Sequence, residues 1–87
     1  MPKYRKKPVV IEAFRLGYDN PERWWVEAIA NDKVRPFMMR PGEAEAEIET
    51  LEGLHVARHG DWIIRGVAGE LYPCKHEIFL RTYELVS

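Results

Sequence analysis

The sequence predicts an α+β domain with a curved, mostly antiparallel sheet, approaching a small, partly open barrel. One main helix packs on this sheet, and a short helical turn follows near the C-terminus. Apolar and acidic residues alternate with a period of two in EAEAEIET, which is typical of a half-buried strand. The run Asp19-Asn20-Pro21-Glu22 is a helix-start signal, and turns rich in glycine or proline separate the other short apolar runs. The predicted order of elements is β-α-β-β-β-β-β-α-β.

The N-terminal third predicts the first strand and the main helix. Residues 8–16 (PVVIEAFRL) are β-branched and apolar, as in a strand that is partly covered on both faces. The helix is predicted to run from Pro21 to about Ala30, with Asn20 as its N-cap and Asn31 in the left-handed conformation at its end. Two adjacent tryptophans cannot both point into one core, so one should lie at the rim. The predicted buried stripe comprises Trp25, Ala28 and Ile29, with Trp24 near its edge.

The middle of the chain predicts an edge strand and then an alternating strand. Residues 34–40 are strand-like, and Pro36 favours an edge or a bend because proline cannot donate to a sheet ladder. A turn at Pro41-Gly42 follows. In the alternating segment the glutamates are predicted to face outward, and the inward residues are Ala44, Ala46 and Ile48.

The next hairpin is predicted to have a three-residue loop, Leu51-Glu52-Gly53, with Gly53 at positive φ in a bulge. This register pairs Ile48 with Val56 and gathers the apolar residues of both strands on one face. A two-residue turn at Glu52-Gly53 would instead place Val56 opposite Glu49, on the acidic face. The predicted apolar face comprises Ala46, Ile48, Leu54 and Val56.

The C-terminal third predicts a second hairpin, a helical turn and a last strand. Residues 62–65 form one strand, and a glycine-flanked turn leads into its partner, residues 70–72. Pro73 is predicted to end that partner strand. Residues 75–80 are predicted to be helical, and residues 82–86 to form the closing strand.

Length, charge and cysteine content limit the classes of function. The 87 residues predict a single domain, residues 1–87, in which residues 1–7 form a basic N-terminal arm. The net charge of −1 argues against a dedicated nucleic-acid-binding protein, which is usually strongly basic. Cys74 is the single cysteine, and no apolar run is long enough to span a bilayer. A soluble, non-exported protein of a reducing cytosol is therefore expected.

Three kinds of chemical site are considered and not favoured. His55, His59, Cys74 and His76 are possible zinc ligands, but on a strand residues 55 and 59 would lie about 13 Å apart. Cys74 and His76 could act as nucleophile and base, but no group that orients the histidine and no oxyanion hole is evident. Paired carboxylates for acid–base catalysis could come from Glu45, Glu47 and Glu49, but their pKa values would be raised only by burial, and these residues resemble a solvated strand face. No catalytic residue, metal site or cofactor is therefore predicted.

The best candidate for a binding site is an aromatic and basic surface on the second hairpin. Trp62, Arg65 and Tyr72 lie on its strands, with Lys75 at its exit and Asp61 at the preceding turn. Aromatic faces beside Arg or Lys can stack a nucleic-acid base and bind its phosphate. In the alternative interpretation Trp62 and Tyr72 are core residues, and Asp61 only fixes its turn by accepting backbone N–H groups.

Three separated blocks, KKPVVIEAF, IETLEG and GDWIIRGVAGELYPCK..IF..TYELV, resemble a family of small proteins encoded by tailed phages and prophages. The resemblance leaves the helix and residues 34–40 unmatched. It implies a phage or prophage origin, and members of the family usually carry no assigned function. In the family pattern the position of His76 is commonly proline, and the positions of His55 and His59 vary.

These observations favour a non-enzymatic phage or prophage accessory protein that acts by binding. The expected partner is a host protein, a second copy of the chain in a homo-oligomer, or a small nucleotide-like ligand. One alternative is an RNA- or DNA-binding protein that uses the basic arm and the aromatic and arginine surface of the hairpin. A second alternative is a hydrolase that depends on Cys74.

Overall fold

The α+β class is confirmed by the structure, a computed structural model that describes residues 1–40 and 42–86. Within these ranges the strands form two open antiparallel sheets in place of the single curved sheet predicted, sheet A in the order β1-β5-β6 and sheet B in the order β2-β3-β4. No helix in the described ranges is both long and apolar enough to cross a membrane. The elements are β1 Glu12–Arg15, α1 Arg23–Ala30, β2 Val34–Arg40, β3 Glu43–Thr50, β4 Gly53–Ala57, β5 Trp62–Arg65, β6 Leu71–Cys74 and α2 His76–Thr82.

The main core is built from α1 and one face of each sheet. Phe14 of β1 packs against Trp24 and Trp25 of α1, with ring centroids 5.5 and 5.4 Å away. Trp25 is buried and Trp24 is half-buried, so the predicted division between core and rim is confirmed. The predicted burial of Ile29 is wrong, since Ile29 is 36% exposed and the buried residues of α1 are Trp25 and Ala28. The other buried core residues are Leu16, Val34, Ala46, Ile48, Ala57 and Ile63.

Strand β1 is shorter than the predicted strand over residues 8–16. Pairing is limited to Glu12–Arg15, which lies opposite Trp62–Arg65 of β5. The partner strand ends there, because Gly66 begins a turn. Residues 1–10 are all exposed and belong to no strand.

Both predicted ends of α1 need correction. The N-cap residue is Glu22 rather than Asn20, because the first helical hydrogen bonds run to the Glu22 carbonyl. At the C-terminal end the left-handed residue is Asp32, with φ +59, whereas Asn31 has φ −90. The next backbone N–H donates to the carbonyl of Ala28 at 2.9 Å, as in a Schellman motif.

The β3–β4 hairpin has positive φ at the predicted residue but a different register. Gly53 has φ +111, yet it pairs with Thr50, so the loop contains only Leu51 and Glu52. The Thr50 hydroxyl donates to the Gly53 carbonyl at 2.8 Å and accepts the Glu52 N–H at 3.1 Å. These two bonds close a tight loop, so the predicted three-residue loop is wrong.

The observed register changes which residues of this hairpin are buried. Leu54 and Val56 were predicted to face inward, but they are exposed on the acidic face. Ala57 is the residue of β4 that reaches the core. Glu45, predicted to face outward, is buried, and its carboxylate lies 3.3 Å from the Arg58 guanidinium.

Strand β2 has the predicted bounds and lies at an edge of sheet B, as Pro36 indicates. The register of β2 against β3 shifts between Phe37 and Arg40. Gly42 has φ +81, which fits the predicted turn. Pro41, the other residue of that prediction, lies outside the described residues.

Strand β6 continues through Pro73, which pairs with Ile63 of β5. The prediction that Pro73 ends the strand at residues 70–72 is therefore wrong. Strand β6 lies at the edge of sheet A, where a proline is tolerated because its missing N–H does not interrupt a ladder on both sides.

Helix α2 extends further toward the C-terminus than predicted, and no strand follows it in the described residues. It spans His76–Thr82 rather than residues 75–80, and the Tyr83 N–H donates to the Phe79 carbonyl at 2.9 Å. Residues 83–86 belong to no strand, so the strand predicted for residues 82–86 is wrong. The chain is still completing a helical turn where that strand was expected to begin.

Candidate functional site

The five predicted site residues do not form one surface. Trp62 and Tyr72 lie on the face of sheet A that α2 covers, whereas Arg65 lies on the opposite face beside Glu12. Residues three apart on a strand point to opposite sides, so the sequence already contained this signal. Asp61 and Lys75 lie at the other end of β5 and β6 from Arg65.

Trp62 is a packing residue in the contact between sheet A and α2. Its indole stacks on the Phe79 ring with centroids 4.0 Å apart and the planes 4° from parallel. The indole N–H donates to Nδ1 of His76 at 3.0 Å. One face and the polar edge of Trp62 are therefore occupied within the protein.

Tyr72 is held in the same contact. Its hydroxyl lies 3.4 Å from the hydroxyl of Tyr83. Burial raises the pKa of the Tyr72 phenol well above its usual value, and the contact with Tyr83 and the charge of Glu70 add to this. Tyr72 is thus a neutral residue under the helix.

Arg65 lines a cleft of about 410 Å³ between α1, the β3–β4 loop and the β5–β6 turn. Its guanidinium lies 3.4 Å from the Glu12 carboxylate, which is itself exposed. Such exposed pairs stabilise a protein only weakly. The cleft is lined by Trp24, Glu27, Ala28, Asn31, Lys33, residues 48–51, Arg65 and residues 69–71.

Asp61 and Lys75 line a second cleft, of about 480 Å³, which we call the His59 cleft. It lies between the turn after β1, the turn before β5 and the first turn of α2. Its lining comprises Arg15, Tyr18, residues 59–61 and residues 75–78.

Asp61 shapes the floor of the His59 cleft. Its carboxylate is buried and accepts the Arg58 N–H at 2.9 Å, so the predicted turn-fixing role is confirmed. The other carboxylate oxygen lies 3.8 Å from the Lys75 ammonium. The Asp61 carbonyl accepts the Leu16 N–H at 2.8 Å, which ties the turn to the end of β1.

Arg15 and Tyr18 form one wall of the cleft. The Arg15 Nε donates to the Gly60 carbonyl at 3.0 Å, and its guanidinium carbon lies 3.9 Å from the centroid of the Tyr18 ring. This cation–π contact holds the guanidinium over one face of the Tyr18 ring, and the residue as a whole is 61% exposed.

His59 is held in one orientation by two neighbours. Its ring packs over Gly17, where a Cβ atom would collide with the imidazole. Nδ1 of His59 accepts the Ala44 N–H at 3.2 Å, so the ring proton lies on Nε2. The ring also lies 5.2 Å from the Tyr18 ring, centroid to centroid.

His76, which also lines the cleft, is fixed in the same tautomer. Because its Nδ1 accepts the Trp62 indole N–H, its proton also lies on Nε2. Among residues 1–40 and 42–86, neither His59 Nε2 nor His76 Nε2 has a hydrogen-bond partner.

The His59 cleft carries both donors and carboxylates. Arg15, Lys75 and the two imidazole N–H groups are donors; of the two carboxylates, that of Asp61 is buried and already bonded within the protein, whereas Glu77 is exposed, so the formal charges of the lining cancel. Within the described part of the chain, no three His, Cys, Asp or Glu side chains are placed to hold a metal ion. Donor groups beside an exposed aromatic ring suit a small anion that carries a planar group.

Cys74 lies near this cleft in an environment that disfavours its thiolate. Burial raises the pKa of the Cys74 thiol, and the negative charge of Asp61 raises it further. The thiol donates to the Lys75 carbonyl at 3.6 Å, and His76 Nδ1 is occupied by Trp62. A cysteine nucleophile needs the opposite conditions, a lowered pKa and a free base.

We expect Cys74 to react slowly with iodoacetamide in the folded protein. Because only the thiolate reacts, a raised pKa moves the rise of the alkylation rate to higher pH than in the unfolded chain. The measurement is the rate against pH with and without urea. A folded-state midpoint at or below that of the urea-unfolded protein would contradict this account.

Comparison with protein-family models, with curated proteins and with solved structures found no match for this chain. The function is therefore argued from the His59 cleft. Sequence reasoning identified two residues of this cleft, Asp61 and Lys75, and missed Arg15 and Tyr18. His59 and His76 were considered only as zinc ligands. The sequence signal that could have pointed to Tyr18 is an aromatic residue directly after Gly17, at the end of the first strand. Many turns share this pattern, so it does not single out a site.

Proposed function

We propose that this protein is a non-enzymatic binding module that takes a small nucleotide-like ligand in the His59 cleft. The resemblance of its sequence blocks to tailed-phage and prophage proteins supports a phage or prophage origin and action in the cytoplasm of the bacterial host. The observation that carries the proposal is the convergence of four donor side chains and one exposed aromatic ring on a single cleft.

The donors supply the recognition of phosphate. Arg15 and Lys75 are cations, and His59 and His76 each offer an Nε2–H group. Hydrogen bonds from charged donors to phosphate oxygens are about twice as strong as neutral ones. Because His59 and Arg15 are already held by bonds to backbone atoms, little side-chain entropy is lost on binding.

The exposed ring of Tyr18 supplies the recognition of a base. Stacking of a base on an aromatic side chain contributes about 1–3 kcal/mol. The guanidinium of Arg15 lies against the same ring and holds it in place. A phosphate on the donors and a base on Tyr18 would together fill a cleft of about 480 Å³.

Two observations support binding rather than catalysis. The pKa of Cys74 is raised, which disfavours the thiolate of a nucleophile. The histidine two residues further along the chain, His76, already accepts a hydrogen bond from Trp62 at Nδ1.

The test is a calorimetric titration with adenosine monophosphate, with inorganic phosphate and adenosine titrated separately. We expect Tyr18→Ala to raise the Kd for adenosine monophosphate by about tenfold, and the Kd for phosphate by much less, because Arg15 keeps its bond to the Gly60 carbonyl. Tyr4→Ala is the matched control, because Tyr4 is an exposed tyrosine outside the cleft. Lys75→Ala should weaken both phosphate and nucleotide.

Equal effects of Tyr18→Ala and Tyr4→Ala would contradict the proposal, as would the absence of nucleotide binding at millimolar concentration. Tight binding of an oligonucleotide that weakens steeply with salt would favour the nucleic-acid alternative instead.

A further inference from the structure

We propose that two copies of this chain associate through the open edge of β1. The segment Val9–Ala13 of one copy pairs antiparallel with the same segment of the second copy. This association does not depend on the ligand of the His59 cleft.

The segment before β1 has the composition of a strand but no partner in its own chain. Residues 8–11 read PVVI, and β-branched residues favour strands. Val9 is 50% and Val10 is 74% exposed. On one side of this segment β5 has ended, because its chain enters a turn at Gly66. On the other side no described strand pairs with β1.

The backbone hydrogen bonds show which groups point to the open side. The Leu16 N–H donates to the Asp61 carbonyl, and the Leu16 carbonyl accepts the Gly60 N–H, so Leu16 faces the side of β5. Since backbone groups alternate along a strand, residues of even number face β5 and those of odd number face the open edge.

The backbone N–H and carbonyl of Arg15, which point to the open edge, already have hydrogen-bond partners. Its N–H donates to the Asp19 carboxylate at 2.8 Å, and its carbonyl accepts the N–H groups of Tyr18 and Asp19. This turn closes the C-terminal end of the edge. In the proposed dimer β1 is extended back to Val9, and its open edge is then carried by Val9, Ile11 and Ala13.

Antiparallel pairing of this edge with itself is two-fold symmetric. Each copy then uses the same residues, so the contact closes into a dimer rather than continuing as a fibre. Sheet A of one copy and sheet A of the other would join as one sheet of six strands. Lys6, Lys7 and Pro8 limit the pairing to a short segment, because charged residues and proline discourage longer edge-to-edge contacts.

The charge distribution favours a second copy of this chain as the partner. Residues 1–10 carry four basic residues and no acidic one, so the rest of the chain has a net charge of −5. In the antiparallel arrangement each basic arm runs along the second copy in the direction of its Asp19. A nucleic acid on the arm would instead lie beside an acidic body, which opposes a polyanion.

The test is sedimentation equilibrium of Val9→Pro and Val10→Pro beside the unmodified chain. Both substitutions remove a valine outside β1, but only Val9→Pro removes an N–H from the open edge. We expect Val9→Pro to raise the dimer dissociation constant by about tenfold or more, and Val10→Pro by less than about threefold. Raising the salt concentration should weaken the dimer of the unmodified chain.

Circular dichroism and thermal unfolding check that both variants fold, since neither residue lies in a described strand. A chain that stays monomeric at millimolar concentration would overturn the proposal, and so would equal effects of the two prolines. Binding of a single-stranded oligonucleotide by the monomer, lost on removal of residues 1–7, would assign the arm to nucleic acid and also overturn it.

Discussion

Phe14→Ala is expected to lower the free energy of unfolding by about 3–5 kcal/mol, the usual range for a buried phenylalanine. Phe14 is 2% exposed, and its ring contacts both tryptophans of α1. The alanine would leave a cavity between sheet A and the helix. For a domain of this length the total stability is about 4–13 kcal/mol, so the variant would lose a large share of it.

Urea unfolding followed by circular dichroism measures this effect. Phe37→Ala is the matched control, because Phe37 is 40% exposed on an edge strand. We expect it to cost about 1 kcal/mol or less. Similar costs for the two alanines would show that Phe14 is not the centre of the core.

Gly17→Ala is expected to destabilise the protein and to dismantle the His59 cleft. Gly17 has φ +86, a conformation that costs an alanine about 1–2 kcal/mol. The new Cβ would also collide with the imidazole of His59, and such overpacking costs a further 1–3 kcal/mol or so. The ring would have to leave Ala44, and the cleft would lose one of its donors.

Gly69→Ala separates the two causes. Gly69 has φ +84, but a Cβ there meets no atom within 4 Å. It should therefore show the conformational cost alone and retain nucleotide binding. Urea unfolding and a titration with adenosine monophosphate on both variants make the comparison. Equal losses of stability and of binding would contradict the packing of His59 on Gly17.

The parts of the fold that depend on local chemistry were predictable. The bounds of β2 and β5, the positive φ of Gly53 and the turn-fixing carboxylate of Asp61 all follow from residues close in sequence. The register of the β3–β4 hairpin was not predictable in this way. The Thr50 hydroxyl closes a two-residue loop, whereas the apolar pattern of the strands favoured a loop of three residues. The predicted register placed Leu54 and Val56 of β4 in the core. In the structure both are exposed, and Ala57 is the residue of β4 that is buried.

The candidate site was only partly predictable, because it is assembled from distant segments. Arg15 reaches the Gly60 carbonyl across 45 residues of sequence, and His59 meets Gly17 and Ala44 only after both sheets have formed. Asp61 and Lys75 were identified from one hairpin and its exit. Trp62 was grouped with them, but its ring is used to pack α2.

The most direct test of the His59 cleft is the imidazole nitrogen resonances during a titration with adenosine monophosphate. Nε2 of His59 and Nε2 of His76 should shift together and saturate at one Kd, because both line the cleft. His55 lies exposed on β4, outside that cleft, and serves as the internal control. Saturable shifts of His59 and His76 with His55 unchanged are the predicted result. No saturable shift, or equal shifts of all three histidines, would contradict a nucleotide site in this cleft.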